Sequence, residues 1–125
     1  MNNAQTGTLH DTETNENVQI DFVHLKKAAM ILRALNHKLR QQLLALLDEH
    51  KKVTVTEIYV KLRLEQSVVS QHLAIMRRAG IVSTKREGKF IYYKVNYARF
   101  DEVETFTKQL LHSNSNMAIS DVAAN

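Results

Sequence analysis

The chain has no cysteine, no proline and no tryptophan, and only three glycines in 125 residues. Without cysteine there are no disulfides and no thiolate metal ligands, and thiol-based redox or sulfide sensing is excluded with them. No glycine-rich phosphate loop occurs, and no nucleophile stands beside a plausible base, so enzymatic activity is not expected. No run of about 18 apolar residues is present, so no membrane span is expected. The opening residues, "MNNAQTGTLHDTETNENVQ", lack a basic stretch followed by an apolar one. No secretory leader is therefore expected, and the expected compartment is the cytoplasm.

What is present is an ordinary globular composition, 44% hydrophobic and 24% charged, of a length that suits one domain. The charge is unevenly placed. Residues 1–17 carry Asp11, Glu13 and Glu16 and no Lys or Arg, whereas 18–112 holds all 17 basic residues. The surplus is densest over 61–94, where Lys61, Arg63, Arg77, Arg78, Lys85, Arg86, Lys89 and Lys94 face only Glu65 and Glu87. Such a local excess suits a polyanion, because neutralising phosphates releases condensed counterions.

A near-absence of large apolar side chains predicts a disordered tail over 1–17; 113–125, although it carries apolar residues, is read as a flexible tail, with one ordered domain, 18–112, between them. Periodicity predicts a first helix over 18–35, on which Phe22, Leu25, Ala28 or Ala29, and Leu32 recur at helical spacing. A second helix, 37–49, turns Leu39, Leu43, Leu46 and Leu47 inward and Arg40, Gln41 and Gln42 outward. Thr54 or Thr56 can cap a short third helix, "EIYVKLRL". A fourth, 66–79, sets Val69, Leu73 and Met76 on one stripe, with Gly80 as its stop. "IVSTKR" and "FIYYKV" read as strands around a Glu87-Gly88 turn. The last helix, 97–112, carries Phe100, Val103, Phe106 and Leu110.

The order α-α-α-α-β-β-α is that of a mainly α (α+β) winged helix-turn-helix. Its fourth helix, held from behind by the apolar stripe, offers Ser67, Ser70 and Gln71 at its front, with Gln66 beside them. Short neutral hydrogen-bonding side chains in that position can enter a major groove and read base edges. His72, at the edge of both faces, is read as a support that orients the helix or donates to a phosphate. Arg77 and Arg78 complement the helix dipole, and at least one is expected to reach phosphate. Lys85, Arg86 and Lys89 make the hairpin a cationic arm, and Tyr92 rather than Tyr93 is expected to face the DNA. The bland readings are a solvated helix start and gatekeeping lysines on an edge strand. The convergence of all three elements favours double-stranded DNA.

The stretches "ALNHKLRQQLLALL" at 34–47 and "SVVSQHLAIMRRAGIVSTKREGKFIYY" at 67–93 resemble the ArsR/SmtB family of bacterial winged-helix repressors. That resemblance implies a homodimer whose first and last helices pack across a two-fold, and binding to a palindromic operator. Its DNA-reading positions fall on Ser67, Val68, Ser70, Gln71 and His72, with wing contacts near Lys85, Arg86 and Lys89. Phe22, Leu25, Phe106 and Leu110 are apolar residues left over once a small core is filled, which suits such a seam. Ala29, Leu32, Phe100 and Val103 extend it.

The departures from the family pattern concern its sensors. Where arsenic- and cadmium-type members carry Cys-Val-Cys, this chain has Tyr59-Val60-Lys61. Where zinc- and nickel-type members pair imidazoles on the last helix, it has Asp101, Glu102, Glu104 and a lone His112. His37-Lys38 stands where a proline is usual. Six histidines are scattered singly, so no metal site and no cofactor are expected. The expectation is thus a repressor without a recognisable inducer site. Its rivals are a winged-helix protein-interaction module and a metal-responsive regulator using the last helix.

Overall fold

The computed structural model describes residues 6–112. Two strands open it, β1 (Thr6–Asp11) and β2 (Glu16–Asp21), followed by the helices α1 (Phe22–Leu35) and α2 (Lys38–His50). The two-residue strand β3 (Val53–Thr54) leads into α3 (Val55–Leu62) and α4 (Gln66–Arg78). The hairpin β4 (Val82–Glu87) and β5 (Phe90–Val95) and the last helix α5 (Tyr97–His112) complete it.

The expected α-α-α-α-β-β-α order is there, with additions. Residues 6–17, expected to be disordered, belong instead to an antiparallel hairpin that pairs Thr6 with Asp21 and Asp11 with Glu16. Its turn chemistry is explicit: the Asp11 carboxylate accepts from Glu13 N–H at 2.9 Å, and Asn15 takes a left-handed φ of 61°. The hairpin also moves the start of α1 from 18 to 22. Asp21 caps that helix, accepting from Val23 N–H at 2.9 Å and His24 N–H at 3.2 Å, so Val18–Ile20 are left to the strand. Residues 1–5 and the expected tail at 113–125 lie outside the described residues.

The core is built from one stripe of each central helix. Ala34, Leu43, Leu47, Ile58, Val69, Leu73 and Met76 are buried, with Val53, Ile81, Val82 and Val95 closing it from the sheet side. Leu39 and Leu46, assigned inward, are only half-buried. The sheet runs β3-β5-β4, all antiparallel, so β3 gives β5 a partner on its second edge. At the wing tip a two-residue loop puts Gly88 at φ 63°, a positive value at the first loop position that suits glycine.

Arg40 corrects the reading of α2. Expected to point outward, it is 8% exposed. Its guanidinium donates through Nε to Ala34 O at 2.6 Å and through NH2 to Arg33 O at 3.1 Å. These are orphan carbonyls at the C-terminus of α1, where a cation is favoured. The NH1 group lies 3.2 Å from His72 Nδ1 on α4. One buried charge thereby ties three helices together.

Candidate nucleic-acid interface

The turn between α3 and α4 consists of Arg63, Leu64 and Glu65, and it sets the angle at which α4 leaves the core. Thr54 caps α3, its hydroxyl accepting from Glu57 N–H at 3.2 Å. Arg63 ends that helix in the left-handed region, φ 54°. Leu64 N–H then reaches back to Tyr59 O at 3.1 Å. At its far end α4 closes in a Schellman motif. Gly80 N–H donates to Arg77 O at 3.0 Å and Ile81 N–H to Met76 O at 3.0 Å, with Gly80 at φ 74°. Asn96 fixes this turn from the sheet side, its Nδ2 donating to Gly80 O at 2.8 Å.

Held at both ends, α4 divides by face. Val69, Leu73 and Met76 are buried, whereas Gln66, Ser67, Ser70, Gln71, Arg77 and Arg78 are exposed and Val68 is half-buried. Ile75 is half-buried against the core. No side chain caps the first turn of α4.

His72 is half-buried, its ring 4.9 Å from that of His37. A guanidinium can only donate, so Nδ1 of His72 must be the acceptor and the imidazole is neutral with its proton on Nε2. Burial is the main cause that holds its pKa below the ordinary value; the His37 ring and the Arg40 charge act in the same direction.

Strand parity decides which wing residues stand beside α4. Val82 is opposite Val95, Thr84 opposite Tyr93 and Arg86 opposite Ile91, and these pairs share the face that covers the core. Tyr93, not Tyr92, consequently lines a cleft with Ser70, Ala74, Arg77 and Arg78. Tyr92 falls on the other face with Lys85, its ring 4.8 Å under Lys52 Nζ and 6.3 Å from the Phe90 ring. The choice of Tyr92 is corrected on that ground. The missed signal was Val95: anchoring it in the core assigns Tyr93 to the same side.

Wing charge is partly balanced. Lys52 pairs with Glu87 at 2.8 Å, and that hydrogen bond holds the Glu87 carboxyl below its usual range. Arg77, Arg78, Lys85, Arg86 and Lys89 form no ion pair among the described residues. Arg86 Nε donates to Gly88 O at 3.3 Å, and Lys89 Nζ lies 5.4 Å from the centroid of the Phe90 ring. Among the described residues, no three His, Asp or Glu side chains gather where they could hold a metal ion. No helix there is long and apolar enough to cross a membrane.

The expected seam residues divide as well. Phe22, Leu25, Phe106 and Leu110 are exposed, and Ala29, Leu32 and Val103 are half-buried. Ala28, Ile31, Leu32, Val103 and Phe106 line an apolar groove between α1 and α5, with Arg99 and Glu102 at its side. Phe100, also expected in the seam, is half-buried and packs against the chain's own core. Met30, not foreseen, is exposed on α1.

A short helix, a three-residue turn, a second helix seated on the core and a two-stranded arm beside it define a winged helix-turn-helix protein. A profile described as "Bacterial regulatory protein, arsR family" matches residues 37–84. The chain is 34% identical over 85 residues to the transcriptional repressor PagR of Bacillus anthracis, spanning 68% of this chain and 85% of that one. The crystal structure of PagR superposes with a TM-score of 0.57 at 32% identity, covering 69% of this chain and 98% of the other. The transcriptional activator HlyU of Vibrio cholerae is 37% identical over 70 residues, 56% of this chain and 64% of that protein. The chain belongs to the ArsR family, and it is a DNA-binding transcriptional regulator.

Proposed function

We propose that the protein is a homodimeric repressor that binds a palindromic operator, each α4 entering one major groove and each wing following the adjacent backbone. The observation that carries this reading is the division of α4. Ser67, Ser70 and Gln71 are presented outward by a helix whose other side is fully buried, with Arg77, Arg78 and Tyr93 on the same flank. Gln66, Ser67, Val68, Ser70 and Gln71 would face base edges, while Arg77, Arg78, Lys85, Arg86 and Lys89 would face phosphates. His72 acts from behind, as a positioning residue between Arg40 and the groove-facing turn.

Dimerisation through α1 and α5 is supported by the exposed Phe22, Leu25, Phe106 and Leu110 beside the apolar groove. PagR, named a repressor, supports the sign of regulation; HlyU, named an activator, makes that sign a matter for experiment. The cytoplasm is the compartment in which such a regulator meets DNA.

Selection of bound sequences from a random duplex pool tests the reading, followed by transcription in vitro from a promoter carrying the selected site. A two-fold symmetric consensus and reduced transcript are expected. Failure to enrich any sequence at low salt would overturn specific binding, and increased transcript would overturn repression.

A further inference from the structure

The N-terminal hairpin is the part of the fold that the proposed DNA contact leaves unused. In its pleat, Gly7 opposite Ile20, Leu9 opposite Val18 and Asp11 opposite Glu16 share one face. Near α1 that face is covered. The Phe22 ring lies so close over Gly7 that an added Cβ would sit 2.7 Å from it, and Ile20 is half-buried. One rung further out the cover ends: Leu9 is 60% exposed and Val18, directly across from it, 53%. A lone two-stranded ribbon is marginal in water and needs a further layer on its apolar side.

Charge narrows what that layer is. The hairpin carries Asp11, Glu13, Glu16 and Asp21 and no Lys or Arg, so it is repelled by a phosphate backbone. Helix α1, into which it runs, carries Lys26, Lys27 and Arg33 and no carboxylate. Phe22, which covers the neighbouring rung at Gly7, and Leu25 further along α1 are themselves exposed apolar residues. We propose that a second copy of this chain covers it: the Leu9–Val18 face of each protomer lies on α1 of the other, as an arm that extends the α1/α5 seam. This rests on the dimer reading above.

Sedimentation equilibrium of the full chain and of the double variant L9S/V18S tests it. The expected result is a dimeric parent and a variant whose dimer dissociates at least tenfold more readily, with added salt weakening the parent further. Because the chain has no native cysteine, L9C and K26C chains can be mixed and treated with a short bis-maleimide; a heterodimeric crosslink is expected. A parent that stays monomeric would sink the dimer reading itself. A dimeric parent matched by an equally tight variant, or an L9C/K26C double variant that crosslinks only within one chain, would overturn the arm and leave the α1/α5 dimer standing.

Discussion

His72 shows how one side chain can couple the recognition helix to the protonation state of the protein. Its folded-state pKa lies below the ordinary 6.5. Between the two values the unfolded chain binds more protons than the folded one, so stability rises with pH through that window. The contribution is complete above about 6.5 and is lost as pH falls toward the lowered folded value. Thermal melts across that range should therefore show a falling Tm on the acid side that H72Q flattens. A variant with the parent's full acid dependence would remove His72 as the cause. Gln71 makes the complementary test at the DNA surface. If it reads a base, Gln71→Ala should cost about 1–3 kcal/mol on the selected site and relax the preference at one position. Equal losses on selected and random duplexes would take that role from it.

At the scale of elements, the turn before α4 and the stop after it are set by backbone geometry. Gly80 lies in the left-handed region, and a Cβ there would sit 3.0 Å from the Arg99 guanidinium. Gly80→Ala should cost about 1–2 kcal/mol, measured by urea unfolding, because an L side chain is strained in that conformation. Arg63 presents the opposite case: it occupies a left-handed position without being glycine. Arg63→Gly should stabilise by up to about 1 kcal/mol, relieved strain being offset in part by unfolded-chain entropy. In the wing, Lys89→Ala should weaken selected and random DNA alike and reduce the slope of log K against log salt by about one phosphate's worth. An unchanged slope would place Lys89 away from the backbone.

These elements were unequally legible in the chain. The α4 stripe of Val69, Leu73 and Met76, the Gly80 stop and the Gly88 turn are local patterns, and each stands where the spacing puts it. Residues 6–17 read as a disordered tail and 18–21 as the start of a helix, because Leu9, Val18 and Ile20 are too few to mark a buried strand face. The hairpin's turn residues Asp11 and Asn15 were the available sign.

For the whole molecule, the proposed arrangement makes the spacing of the two recognition helices a measurable quantity. In a two-fold dimer they should contact half-sites about one helical turn apart, roughly 34–36 Å. Inserting about 5 bp between the half-sites turns one of them to the far side of the duplex. Binding should then fall to the level of a single half-site, and about 10 bp should restore part of it. Indifference to the insertion would mean that the two helices do not act as a rigid pair.

Local sequence by itself determined the helices, the amphipathic front of α4, the basic wing and the lack of any thiolate site, because propensity, capping and periodicity act over a few neighbouring residues. Tertiary structure alone decided that Arg40 turns inward to the end of α1 and to His72, and that Tyr93 rather than Tyr92 stands beside α4. Both outcomes depend on partners far along the chain: the carbonyls a guanidinium can satisfy, and the strand register, in which a shift of one residue exchanges the faces.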